Sequence, residues 1–183
     1  MSLFSDGNVF YISDFDEGME TDILIPFIKE VKNQAKYKDG HIDLWINSYG
    51  GYAHIVFHLV EQMEIAKRMG VKVRTIVTSA AYSCGSIIAV AGSEGERYIA
   101  KDAKHLAHYG RVFSQQSTPE QVERNTNYAD QHFKHILNHY KKYCKGPTPH
   151  ELEEAMKDDM YFIGARQAIK WGMADKYIDK LEL

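Results

Sequence analysis

Cysteine is scarce in this chain of 183 residues: Cys84 and Cys144 are its two. They make no disulfide framework and no CxxC pair, which points to a reduced, cytoplasmic setting. No apolar run approaches the ~20 residues needed to span a bilayer. The first ten residues, MSLFSDGNVF, lack the basic start and apolar stretch of a signal peptide. Charge of one sign is also missing. The net charge is −3, so neither nucleic acid nor a membrane is an expected partner. HExxH and comparable metal spacings are absent, and no cofactor is implied. With no repeat, low-complexity tract or dividing linker, residues 1–183 are expected to form a single domain with a proper core.

What is present is organised around Thr78-Ser79-Ala80-Ala81-Tyr82-Ser83-Cys84-Gly85-Ser86. A β-branched run over 71–77 leads into it, and an apolar run over 87–91 follows. That order reads as strand, tight turn, buried helix. Such a turn holds its central side chain at the sheet edge and points the first helix N–H groups at whatever sits there. A serine in that place is a nucleophile candidate with an anion-stabilising site beside it. Read alone, a serine helix cap in a small-residue packing contact is the simpler reading. Cys84 next door is a rival nucleophile.

Along the chain, residues 9–12 read as a strand. Apolar residues Ile23, Leu24, Phe27, Ile28 and Val31 recur at helical spacing within 20–37, with Pro26 in the helix's first turn. Residues 41–46 alternate as a strand. Asn47-Ser48-Tyr49-Gly50-Gly51 then turns into a helix over about 53–69. A Gly-Gly at such a junction lets a backbone lie close to a ligand, or makes a plain tight turn. Residues 97–100 and 103–109 read as short strands, the second placing His108 near its end. Strands alternating with helices predict an α/β fold with a largely parallel sheet, whose sites form at the carboxyl ends of strands. The Gly50 turn, the Ser83 turn and His108 all fall on that edge.

Thr118, Pro119 and Gln121 make an N-cap, an N1 proline and a capping-box partner. The helix they start runs over about 119–145 with one incomplete apolar stripe, so part of it is free to project and pair with another subunit. His132, His135 and His139 share a face; without a carboxylate or CxxC companion, a solvated or interface face is the simpler reading than a metal site. A short acidic helix over 149–156, a last helix over 165–170 and a strand over 173–178 complete the chain.

Taken in order, these turns resemble the Clp protease proteolytic subunits. Ile46-Asn47-Ser48-Tyr49-Gly50-Gly51 resembles their I-N-S-P-G-G turn, with tyrosine in place of proline. Ala81-Tyr82-Ser83-Cys84-Gly85 resembles their A-x-S-x-G turn, and His108 falls where the family histidine does. Ala165-Arg166-Gln167-Ala168, then Trp171-Gly172-Met173-Ala174-Asp175, resemble the closing S-A-x-E-A…Y-G-L-x-D. The resemblance implies a ClpP/crotonase-like spiral of β-β-α units with the 119–145 helix as a projecting "handle". It implies a serine endopeptidase cleaving unfolded polypeptides inside a chamber of homo-oligomeric, stacked heptameric rings. Ser83 would be the nucleophile and His108 its base. The N–H groups of Gly50 and Cys84 would stabilise the oxyanion, and Gly51 would bind substrate.

The sequence departs from the family at the third triad member. The family aspartate maps onto Met160; Asp159 is one residue earlier and Asp158 two, and a one-residue shift brings Asp159 to His108. If neither acid reaches, the base is poorly oriented. The short N-terminus leaves little for the axial loops that engage an AAA+ unfoldase in the family. Two rivals stand: a crotonase-like acyl-CoA enzyme on the same fold, and an inactive ring subunit or scaffold.

Overall fold

Strand β3 (His41–Ser48) runs parallel between β2 (Val9–Ile12) and β4 (Lys72–Tyr82) at the centre of the computed structural model, which describes residues 5–110, 118–158 and 160–181. β1 (Ser5–Asp6) adds an antiparallel edge to β2. On the other side β4 pairs in parallel with β5 (Arg97–Ile99), and β5 with β8 (Lys176–Tyr177). The fold is α/β with a mostly parallel sheet, as the alternation of elements implies. Ile42, Leu44 and Ile46 on β3 and Val73, Ile76 and Val77 on β4 are all buried. Residues on both faces are covered, which is why these strands read as β-branched runs rather than clean alternations. Each such side chain stabilises the fold by about 1.5–3 kcal/mol.

β4 decides where the site lies. The sequence expectation ends this strand at Val77 and gives residues 78–82 to the turn, but the strand continues to Tyr82. Its second half has a different partner: Ala80, Ala81 and Tyr82 pair with Lys104, His105 and Leu106 of β6 (Lys104–Leu106). β7 (Ile163–Gly164) then pairs antiparallel to β6. A long strand with two successive partners carries the chain past the main sheet, so that Ser83 follows β4 directly into helix α3 (Cys84–Val90). α3 is wholly buried.

The remaining helices are α1 (Ile25–Gln34), α2 (Ala53–Arg68), α4 (Pro119–Tyr143), α5 (Pro149–Lys157) and α6 (Ala165–Trp171). Pro26 sits in the first turn of α1, after a π-helical turn over Glu20–Leu24. The capping box before α4 forms as its sequence requires, with the Gln121 N–H on Thr118 Oγ1 and the Thr118 N–H on Gln121 Oε1. Among the described side chains of α4, Ile136 is the first buried one; those before it are exposed or half-buried. The histidine face is not uniform. His139 is buried and its Nε2 lies 2.8 Å from the Ile87 carbonyl of α3, so this residue belongs to helix packing rather than to a solvated face.

The closing segment is fastened through Arg97, which is nearly buried. Its Nε donates to Asp175 Oδ2 at 2.9 Å and its Nη1 to the Gly172 carbonyl at 2.7 Å. A paired guanidinium is the form in which such a charge is tolerated there. Among the described residues, no helix is long and apolar enough to cross a membrane.

Candidate active site

Ser83 is the one non-glycine residue with positive φ among those described, at φ 53° and ψ −119°. A conformation of this kind costs on the order of 1–3 kcal/mol and persists only where the surroundings impose it. They do so here from both sides. The Ser83 N–H donates to the Leu106 carbonyl at 2.8 Å, continuing the β4–β6 ladder one residue further. The Ser83 carbonyl accepts from the Ser86 and Ile87 N–H groups at 3.0 and 3.1 Å, opening α3. The side chain is thus thrust out at the tip of a strand-to-helix elbow.

The same ladder delivers the histidine. Tyr82 pairs with Leu106, so His108 arrives beside Ser83 two residues after β6 ends. The sequence expectation ran that strand to Tyr109; the shorter strand leaves His108 in the following segment, fixed beyond it by the Tyr109 N–H on the Met156 carbonyl at 3.3 Å. His108 Nε2 lies 2.8 Å from Ser83 Oγ. At that separation an imidazole can take the hydroxyl proton as the oxygen attacks a carbonyl.

The glycine turn comes from β3. After Ile46 the β3–β4 register slips, and Ser48 pairs with Ala81. Asn47 spans the slip: its side-chain oxygen accepts the Ala80 N–H at 3.2 Å. The turn then passes directly over the nucleophile. A Cβ on Gly50 would stand 2.8 Å from Ser83 Cβ, and one on Gly51 2.1 Å from the Phe15 carbonyl oxygen. Their φ values of 119° and 136° exclude a side chain as well. Only glycine fits at either position.

Of the two expected oxyanion donors, the Cys84 N–H is the first of α3, where no earlier turn supplies a carbonyl. The Gly50 N–H points within the turn, donating to Ser48 Oγ at 3.1 Å. An incoming carbonyl would have to share it. The Cys84 thiol is turned away from nucleophilic use: it donates to the Gly51 carbonyl at 3.2 Å, and burial pushes its pKa up to about 11.

Asp159, the first candidate for the third triad position, lies outside the described residues. Asp158, the second, is exposed and accepts the Met160 N–H at 2.8 Å. Among the described residues no group of histidine, cysteine and carboxylate side chains is arranged to hold a metal ion.

A cavity of about 620 Å³ opens over Ser83 and His108, with Gly51 and Cys84 also on its wall. Tyr52, Ile87, His132 and Ile136 supply much of the rest, and Met160 stands at its edge. His132 and Ile136 are one turn apart on α4. The sequence reading placed them on that helix without connecting it to the site, although their i, i+4 spacing was the available signal.

Residues 1–181 match the family described as "Clp protease". The chain is similar to two proteins named "ATP-dependent Clp protease proteolytic subunit". The one from Deinococcus radiodurans is 26% identical over 76% of this chain and 65% of its own length. The one from Porphyromonas gingivalis is 27% identical over 76% of this chain and 60% of its own length. The aligned part thus spans less than two thirds of either relative.

Proposed function

Because the chain belongs to the Clp protease family, we propose that it is a serine endopeptidase in which Ser83 attacks the scissile carbonyl and His108 takes its proton. The observation that carries this reading is the strained Ser83 held 2.8 Å from His108 Nε2 on the wall of an open cavity. A plain helix cap needs neither the strain nor the imidazole. Here Ser83 makes no side-chain cap bond to α3, which weakens the packing alternative further.

In the proposed reaction the tetrahedral oxyanion is met by the Cys84 N–H and by the Gly50 N–H, shared with Ser48. Losing one such donor lowers the rate by about 10²–10³ in comparable sites. His108 then returns its proton to the leaving amine. Asp159 is the acid that would orient His108, by its place directly before Met160. Gly51 offers backbone to the substrate chain. The domain spanning residues 1–183 is proposed to act on unfolded polypeptides or peptides within a ring of identical subunits, with the α4 region as the handle between rings. A crotonase-like acyl-CoA activity is disfavoured because a serine–imidazole pair has no role in that chemistry.

Fluorophosphonate labelling tests the proposal. The native chain is expected to be labelled at Ser83, Ser83→Ala to lose the label, and Cys84→Ala to keep it, since only the Cys84 backbone N–H takes part. An unlabelled native chain would return the protein to the scaffold reading.

A further inference from the structure

Alongside the glycine turn runs a segment that the reaction as described leaves idle. Phe15 joins the turn by its backbone: its N–H donates to the Gly50 carbonyl at 2.7 Å, and its carbonyl accepts the Tyr52 N–H at 2.9 Å. Asp14, one residue earlier, adds a carboxylate. Its Oδ1 accepts the Tyr49 N–H at 2.6 Å and lies 3.5 Å from Ser48 Oγ. Ser48 Oγ in turn accepts the Gly50 N–H. Two successive peptide planes are therefore referred to one carboxylate, the first directly and the second through a hydroxyl. Ser48 itself is wholly buried, where a Cβ on Gly85 would meet its side chain at 2.9 Å, so the relay has a fixed base.

The turn needs such a reference. Two adjacent glycines give it more backbone freedom to lose than any other pair of residues. Tyr49 adds to the demand: a proline there would preset φ and carry no N–H, whereas tyrosine does neither. The acceptor that meets the Tyr49 N–H is Asp14.

We propose that Asp14 is a positioning residue for acyl transfer, holding the Ser48–Tyr49 peptide directly and the Tyr49–Gly50 peptide through Ser48 Oγ, so that the turn keeps its place over Ser83 and its Gly50 N–H within reach to be shared when the oxyanion forms. This inference rests on the peptidase reading above. Asp14 touches neither nucleophile nor base; its effect passes through the backbone of the turn. It is therefore felt in the transition state more than in substrate binding.

The test measures the rate of Ser83 labelling by a fluorophosphonate, whose phosphoryl oxygen occupies the oxyanion position, and kcat and KM on a fluorogenic peptide amide. Asp14→Ala is expected to lower kcat and the labelling rate by about tenfold, with KM within about twofold. Asp14→Asn, which keeps a side-chain carbonyl oxygen for the Tyr49 N–H, should recover at least about half of the rate. In a Tyr49→Pro background, which removes the direct donor and leaves only the longer leg through Ser48, Asp14→Ala should cost clearly less than in the native chain, because neighbours in one network are not additive. An Asp14→Ala kcat within twofold of native, a loss confined to KM, or a loss that Asp14→Asn fails to relieve would overturn the proposal while native labelling keeps the peptidase reading intact. A native chain that is neither labelled nor active would overturn both.

Discussion

A methyl group at position 50 would meet Ser83 Cβ at 2.8 Å and Ser83 Oγ at 3.2 Å. Ser83 cannot retreat, because its backbone is bonded to Leu106 on one side and to the start of α3 on the other. Gly50→Ala is therefore expected to remove most Ser83 labelling, by at least about 10²-fold, while circular dichroism shows the sheet and helices unchanged. Full labelling in that variant would mean that the turn does not lie over the nucleophile. Ser83, His108 and Gly50 stood out in the sequence through the order of motifs that resembles the Clp proteolytic subunits rather than through any one turn, and the structure brings the three together. Asp14 did not stand out. It reads as one carboxylate in a polar turn, and its role arises from contacts with residues 34 and 35 positions away. No local pattern reports such a pairing. Nor does sequence show that the Gly50 N–H is held by Ser48, since that depends on which way one peptide plane faces.

The elements behind the site hold two histidines that the chemistry does not use. His105 on β6 is fully buried, with Nδ1 3.0 Å from Ser86 Oγ, and its pKa is lowered to about 3 by burial first and by the Arg97 charge second. His139 on α4 is lowered to about 4, again mainly by burial. Both stay neutral in the fold and take up a proton on unfolding near their ordinary value of 6.5. The unfolded chain therefore binds more protons between those limits, and stability falls as pH drops below about 6.5. Each histidine contributes at most on the order of 1 kcal/mol per pH unit, approached only well below 6.5. Urea unfolding at pH 7, 6 and 5 should show this decline, and His139→Gln, which keeps a donor for the Ile87 carbonyl, should make the slope clearly shallower. A slope unchanged in that variant would place the proton uptake elsewhere. At this scale the sequence reading located nearly every helix by apolar spacing and caps. It shortened β4 because Thr78, Ser79, Ala80 and Ala81 look like turn residues. The strand nevertheless continues through them, and at Ala80 and Ala81 β6 pairs alongside, an approach that small side chains permit.

Among the described residues, the N-terminal part of α4 is a long stretch of helix with no buried side chain. α4 has 25 residues, about 37 Å at 1.5 Å per residue, and its described side chains before Ile136 include none that is buried. In proteins most helical stability comes from packing an apolar face rather than from propensity or caps. Tyr128, 62% exposed, lies on that uncovered stretch with His132 stacked beside it at 6.2 Å between ring centroids. The length of α4 was readable from the Thr118–Gln121 capping box and the incomplete stripe; what covers it was not, because a single chain holds only half of such a contact. In the proposed ring assembly the missing cover is another subunit. The native chain should then sediment well above its 21.0 kDa, and Tyr128→Asp should shift it towards smaller species by placing a charge in that contact. Tyr128 is exposed and outside the buried core, so thermal unfolding of the remaining subunit should keep one cooperative transition. A native chain that sediments as a monomer at micromolar concentration would remove the chamber from the proposal and leave the Ser83–His108 chemistry to be judged by labelling alone.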